Sequence, residues 1–152
     1  MRIFNILLII SLFSLCLNVT WRHVVDCARN QLGKPYVSGG TSPKVGFDCS
    51  GLAYYCHKPL NIGTSPGVQA SKNNIAVSKR KPGDLLFFNC YGRTLGHVAI
   101  SLGGDNFIEA PFPGGKVRTH TLNPGYCGGY IAKVSRYWTN KWNSSYLLII
   151  ID

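Results

Sequence analysis

The spacing of apolar residues predicts helices in the first half of the chain. Apolar side chains between residues 21 and 32 recur at the interval of an amphipathic helix, and Gly33 is placed to end it. A second helix is expected to begin at Cys49, because Asp48 is a favourable N-cap residue. Pro59 predicts the end of this second helix.

The second half of the chain has the pattern of β-strands. Short apolar and β-branched runs are separated there by turns rich in glycine, asparagine and aspartate. Residues 61–81 show little periodicity, apart from one expected helical turn at 68–72. Helices followed by strands favour an α+β fold with an antiparallel sheet. The predicted strands cover residues 85–88, 97–102, 107–110, 116–121 and 130–137, and the apolar tail at 146–151 is a candidate for one more.

The N-terminal segment is typical of a secretory signal peptide. Arg2 precedes an uncharged apolar run of about 15 residues, which is shorter than the roughly 20 residues of a membrane-spanning helix. Ser14 and Cys16 fit cleavage after Cys16, with Val19 or Thr20 as the alternative site. Residues 17–152 are then long enough for one domain with its own core. We therefore expect secretion without stable membrane insertion; the alternative is an uncleaved anchor.

The charge of the chain is strongly basic. Sixteen Lys and Arg residues face six Asp and Glu residues, for a formal net charge of +10. The basic residues are scattered, with one short run at 79–81, and no nucleic-acid recognition motif accompanies them. We therefore expect no nucleic-acid partner. An anionic cell surface or cell wall is a partner that fits this charge.

The number of cysteines predicts one free thiol. Six cysteines occur in the chain, and the first would leave with the signal peptide. An odd number in a secreted protein indicates a free thiol beside two disulfides, and three pairings of the other four stay open. The five that remain are Cys27, Cys49, Cys56, Cys90 and Cys127.

Cys49 has the position of a nucleophile. The N–H groups and dipole at a helix N-terminus favour the thiolate, which is the attacking form of cysteine. His97 opens a predicted strand that can direct its ring at this helix end, whereas His57 lies about two turns along the same helix. Glu109 follows twelve residues after His97 on the next strand and is a candidate for orienting the imidazole.

The turn between these two strands tests the pairing of His97 with Glu109. Side chains alternate between the faces of a sheet, so the loop length decides whether the two residues share a face. A two-residue turn at Gly104–Asp105 would place them on opposite faces. A three-residue loop at 103–105, or an equivalent bulge, would place them on the same face, and the hypothesis requires one of these.

Three motifs in this order resemble those of one enzyme family. The stretches YVSGGTSPKVGFDCSGL, KPGDLLFF and GHVAISLGGDNFIEAP resemble the NlpC family of cell-wall cysteine endopeptidases in the papain-like superfamily, over residues 24–137. The resemblance implies a papain-like α+β fold, with N-terminal helices packed on a central antiparallel sheet. It also implies that residues 17–152 form an NlpC-type catalytic domain. That domain would hydrolyse bacterial peptidoglycan stem peptides, usually at the D-γ-glutamyl–meso-diaminopimelate bond.

The resemblance assigns roles to particular residues. Cys49 matches the nucleophile of the family and His97 matches its base. Tyr36 matches a tyrosine whose phenol would stabilise the developing oxyanion together with the Cys49 N–H. The flanking residues Asp48 and Ser50 would contact substrate. In the family the third catalytic residue is most often His, less often Asn or Gln, so the carboxylate of Glu109 is a departure.

Other readings of these residues lead to different functions. The same scaffold could serve an N-acetylmuramoyl-L-alanine amidase or a transpeptidase, and a changed third residue could accompany a catalytically inactive wall-binding module. We expect a monomer that needs no metal and no cofactor. A zinc site lacks support, because no paired metal-ligand spacing links the available residues, which are Cys56, His57, Cys90 and His97.

Overall fold

Two helices precede the sheet, as predicted. The computed structural model describes residues 19–58 and 60–139; the predicted signal peptide, the apolar tail and Pro59 lie outside these ranges. Helix α1 spans Trp21–Arg29 and helix α2 spans Cys49–Cys56. Helix α1 ends before residue 32, and Gly33 follows with a φ of 81°. A short helix α3, Pro66–Ala70, lies at the predicted helical turn. In the described part of the chain, no helix is both long enough and apolar enough to cross a membrane.

The sheet is antiparallel and has five strands. Strands β1 (Thr41–Ser42) and β2 (Gly46–Phe47) form a separate two-stranded ribbon that precedes helix α2. The order of the main sheet is β6-β5-β4-β3-β7, so the predicted antiparallel α+β arrangement is confirmed. The last two strands are shorter than predicted, and a 3₁₀ turn at Cys127–Gly129 precedes the last one. The main strands are β3 (Leu85–Cys90), β4 (Arg93–Gly103), β5 (Asn106–Glu109), β6 (Arg118–Thr121) and β7 (Lys133–Ser135).

A β-bulge sets the register between β4 and β5. Ser101 pairs with Phe107, whereas Gly103 pairs with Asn106, so Leu102 is the extra residue. The turn itself has two residues, so the three-residue loop at 103–105 does not form. The bulge is the equivalent that the pairing of His97 with Glu109 required, because it supplies the additional residue. Because the register then places Glu109 opposite residue 99, Glu109 and His97 project from the same face of the sheet.

The sheet separates two apolar clusters. The larger one lies against helices α1 and α2 and includes Val98 and Ile100 of β4. The smaller one covers the opposite face and includes Phe88 of β3 and Phe107 of β5. His97 alternates with Val98 along β4, so its ring belongs to the smaller cluster.

Two disulfides join separate elements of the fold. Cys27–Cys56 joins helix α1 to helix α2, and Cys90–Cys127 joins the end of β3 to the 3₁₀ turn. Cys49 is the free cysteine among the described residues, so the prediction of one free thiol and two bridges is confirmed. The zinc site weighed in the sequence analysis would need the thiolates of Cys56 and Cys90, and both sulfurs are disulfide-bonded.

Candidate active site

The N-terminus of helix α2 places Cys49 through a capping network. The carboxylate of Asp48 accepts the Gly51 N–H at 2.6 Å through Oδ1 and the Gly39 N–H at 2.8 Å through Oδ2. The predicted N-cap is therefore confirmed, and the same carboxylate ties the preceding loop to the helix. Cys49 is the first residue of the helix and is partly exposed, so its thiol sits where helix N–H groups favour negative charge.

His97 lies between Cys49 and Glu109. Its Nε2 is 2.9 Å from Glu109 Oε2, which leaves Nδ1 for the thiol side. The ring is only 1% exposed. Burial favours the neutral ring and would lower the pKa, but the interactions with Cys49 and Glu109 outweigh burial and raise the pKa of His97 from 6.5 to about 9. The imidazolium is therefore the stable form at neutral pH.

Glu109 is a buried carboxylate with a donor on every side. Oε2 accepts from His97 and from the Tyr126 hydroxyl. Oε1 accepts from Arg118 Nε at 3.0 Å, and the ion pair also brings Arg118 Nη2 to 3.0 Å. His120 Nδ1 lies 3.6 Å from the same oxygen. Burial would raise the pKa of Glu109, but the hydrogen bonds from His97 and Tyr126 reverse this effect and lower it. Glu109 therefore stays ionised despite being buried.

Tyr36 lies beside Cys49. Its backbone pairs with Phe47 in an isolated bridge, and its N–H donates to the Gly115 carbonyl at 2.9 Å. Burial, followed by the charges of Cys49 and Asp48, raises the pKa of the phenol. The phenol therefore remains protonated at neutral pH and is available as a hydrogen-bond donor near Cys49.

Ser50 is placed differently from a surface contact. It is 3% exposed, and its hydroxyl lies 3.0 Å from Asp48 Oδ1 and 2.8 Å from the Thr64 carbonyl. The hydroxyl can donate to either oxygen and is thereby occupied inside the protein. Asp48 is more accessible, although its two carboxylate oxygens already accept from the backbone.

Three further residues around the site were not anticipated from the sequence. Arg118 and Tyr126 both donate to Glu109, and the exposed Tyr91 donates its hydroxyl to the Pro111 carbonyl at 3.1 Å, with its ring edge-on to His97. Arg118 pairs directly with Glu109 across β5 and β6, so an exact register would have indicated it. Tyr91 and Tyr126 lie in loops, where no periodic signal exists.

A thiol, an imidazole and a carboxylate in this order, beside hydrogen-bond donors, form an arrangement suited to acyl transfer. The sequence model of the NlpC/P60 family matches residues 33–136. Murein DD-endopeptidase MepH of Escherichia coli (strain K12) is 37% identical over 118 residues, covering 73% of this chain and 44% of that protein. Gamma-DL-glutamyl hydrolase of Bacillus subtilis (strain 168) is 38% identical over 92 residues, covering 57% of this chain and 22% of that protein.

Solved structures show the same relationship. The NlpC/p60 domain of the peptidoglycan hydrolase SagA superposes with a TM-score of 0.65 at 35% identity, covering 78% of this chain and 100% of that domain. NlpC2 from Trichomonas vaginalis superposes with a TM-score of 0.69 at 28% identity, covering 80% of this chain and 48% of that one. The chain spans less than half the length of the two curated relatives. Since the family match extends over about two thirds of the sequence and the fold agrees, this chain belongs to the NlpC/P60 family and has its papain-like α+β fold.

Proposed function

We propose that this protein is a secreted cysteine peptidase that hydrolyses bacterial peptidoglycan stem peptides. The observation that carries the proposal is the spatial arrangement of Cys49, His97 and Glu109. A free cysteine at a capped helix N-terminus lies next to a buried imidazole, and the other nitrogen of that imidazole contacts a carboxylate. This arrangement supports nucleophilic catalysis by a thiolate and an imidazolium.

In the proposed reaction, the Cys49 thiolate attacks the amide carbonyl and forms a C–S bond. The Cys49 N–H and the Tyr36 hydroxyl stabilise the oxyanion. His97 then transfers a proton to the amine nitrogen as the C–N bond breaks, which leaves a thioester on Cys49. Water adds to the thioester while His97 takes its proton. The C–S bond then breaks, which releases the acid and restores the Cys49 thiolate beside the His97 imidazolium.

The surrounding residues have supporting roles in this proposal. Glu109 orients His97 and stabilises the imidazolium, because its carboxylate is ionised and 2.9 Å from Nε2. Asp48 contacts the substrate from the helix N-terminus. Ser50, which is buried, acts by holding Asp48 rather than by direct contact.

The bond we propose is D-γ-glutamyl to meso-diaminopimelate. The resemblance of the motifs implies this bond, and the relative named gamma-DL-glutamyl hydrolase supports it. The second candidate is a DD-endopeptidase, which is favoured by the similarity to the relative named murein DD-endopeptidase. No metal or cofactor takes part in either proposal.

Export and wall association complete the proposal. Residues 1–16 would act as the signal peptide and residues 17–152 as the catalytic domain. The two disulfides support an oxidising compartment outside the cytoplasm. The net charge of +10 supports attraction to an anionic wall, where the protein would act as a monomer.

Mass spectrometry of defined muropeptides tests the proposal. The protein is compared with Cys49→Ala, which removes the nucleophile. We expect a new free amine on meso-diaminopimelate with the wild type and no product with the variant. Cleavage between D-amino acids would select the DD-endopeptidase, and cleavage at the sugar–peptide junction would select the amidase. No cleavage across several stem peptides and pH values would indicate a wall-binding module.

A further inference from the structure

We propose that Tyr126 is a positioning residue for the catalytic pair: its hydroxyl fixes the Glu109 carboxylate so that Oε2 faces His97, and the Cys90–Cys127 disulfide holds Tyr126 in place. This inference rests on the proposed function, in which Glu109 orients His97. It adds a role for a loop residue that touches neither the nucleophile nor its base through a hydrogen bond.

The contacts of the Glu109 carboxylate define the role of the hydroxyl. Tyr126 and His97 donate to the same oxygen, Oε2, whereas Arg118 occupies Oε1. With two donors converging on Oε2 and Arg118 on Oε1, the carboxylate group has one favourable orientation. Without the Tyr126 hydroxyl, Oε2 would keep His97 as its only strong donor, and the carboxylate could rotate toward Arg118.

The ring of Tyr126 is seated independently of its hydroxyl. Its centroid lies 5.2 Å from the centroids of Phe88 and Phe107 and 4.7 Å from that of His120. These aromatic contacts would persist if the oxygen alone were removed. Aromatic packing therefore fixes the position of the ring, and the hydroxyl fixes the orientation of Glu109.

The disulfide supplies the anchor for this loop. Tyr126 directly precedes Cys127, and the two glycines that follow it adopt positive φ angles of 81° and 77°. Such a segment has little conformational restriction of its own. The bridge ties it to Cys90, two residues after Phe88, which is the strand partner of His97. Tyr126 is thereby fixed relative to the strand pair that carries His97.

Several elements packed around Glu109 contribute charged or titratable groups. His97 belongs to β4, Arg118 and His120 belong to β6, and Tyr126 belongs to the disulfide-bound loop. The phenol of Tyr91, in the β3–β4 turn, also lies close enough for the Glu109 charge to act on it. The pH dependence of Cys49 alkylation therefore reflects all of these groups together.

The test compares Tyr126→Phe with Tyr130→Phe as a matched control. Both variants lose one phenol oxygen from the same loop, but within residues 19–58 and 60–139 the Tyr130 hydroxyl meets only the surface amide of Asn89, at 3.3 Å. The first readout is the pH dependence of Cys49 alkylation by iodoacetamide, followed by mass spectrometry of the peptide that contains Cys49. We expect the acid limb to move upward by about one pH unit in Tyr126→Phe only, because a misaligned imidazolium stabilises the thiolate less.

The second readout is steady-state cleavage of the stem peptide. A positioning role predicts that Tyr126→Phe lowers kcat about tenfold while KM changes less than about twofold. In a Glu109→Ala background, adding Tyr126→Phe should shift the alkylation profile no further, since the hydroxyl acts through the carboxylate.

The outcomes separate this inference from the proposed function. Alkylation requires no substrate, so a shifted profile supports the inference even if no muropeptide is cleaved. Equal profiles for Tyr126→Phe and Tyr130→Phe overturn it, whether or not the enzyme cleaves peptidoglycan. Additive shifts in the Glu109→Ala background also overturn it, because Tyr126 would then act independently of Glu109.

Discussion

Replacing Glu109 by Gln tests whether its charge stabilises the His97 imidazolium. The amide can still accept a hydrogen bond from Nε2, which lies 2.9 Å from Oε2 in the structure. What disappears is the negative charge, together with the ion pair to Arg118. Glu109→Gln therefore separates the electrostatic contribution of the side chain from its shape.

The expected size of the effect follows from the pKa of His97. That pKa rises from 6.5 to about 9, which corresponds to about 3 kcal/mol in favour of the imidazolium. Cys49 and Glu109 share this stabilisation and also offset the effect of burial. Because a hydrogen bond to a charged group contributes about 1.5–3 kcal/mol, loss of the Glu109 charge should lower the pKa of His97 by about one pH unit.

The assay is the pH dependence of kcat/KM for stem-peptide cleavage. We expect the alkaline limb to move down by about one pH unit in Glu109→Gln. The ratio of variant to wild-type activity should then decrease as pH rises, approaching a tenfold decrease above about pH 9. Asp105→Asn is the matched control, because Asp105 lies in the adjacent turn and is paired with Arg80 on the surface.

Two results would refute this reasoning. If the alkaline limb of Glu109→Gln stays in place or moves up, the carboxylate charge does not stabilise the imidazolium. If Asp105→Asn moves the limb by the same amount, the cause is the net charge of the protein rather than the contact between Glu109 and His97.

Two further predictions concern stability. His57 is buried, and burial lowers its pKa from 6.5 to about 4 in the folded state despite the opposing hydrogen bond to the Ala53 carbonyl. The unfolded chain therefore binds the extra proton first, and the free energy of unfolding should fall by about 3 kcal/mol as pH decreases from 6.5 to about 4. Urea titrations across this range would show a shallower dependence in His57→Leu; an unchanged dependence would contradict the assignment. Gly51→Ala should destabilise the protein by about 3 kcal/mol, because the added Cβ would lie 1.9 Å from the Gly40 carbonyl oxygen. Gly67→Ala, another helical position with open space around the added Cβ, should leave the melting temperature unchanged or raise it; equal effects of the two changes would argue against this steric explanation.

The local pattern of the sequence was sufficient to predict the elements that carry Cys49 and His97. The N-cap at Asp48 and the start of helix α2 depend on neighbouring residues, so the position of Cys49 could be predicted. Helix α1 and the strands could likewise be located from the periodicity of apolar residues, which is also a local signal. The prediction of one free thiol required only the cysteine count, once Cys16 was assigned to the expected signal peptide.

Contacts between distant segments required the tertiary structure. His97 and Glu109 share a face of the sheet only if the turn or strand between them holds an added residue, and the structure supplies that residue as the bulge at Leu102. The disulfide pairing depends on which chain segments meet, as for Cys90 and Cys127, which are 37 residues apart. Ser50 appeared as a substrate contact in sequence, yet its hydroxyl is turned inward toward the Thr64 carbonyl.

The reactive groups of this protein can be recognised from neighbouring residues in the sequence, whereas the environment of those groups depends on contacts between distant segments. A cysteine after an N-cap acquires its position from bonds within a few residues, which a local pattern can report. The environment of Glu109 is built from β4, β6 and a disulfide-bound loop, whose Tyr126 carries no periodic signal. Burial, and with it the balance that keeps His97 charged, results from all of these segments packing together, so it could be seen only in the folded chain.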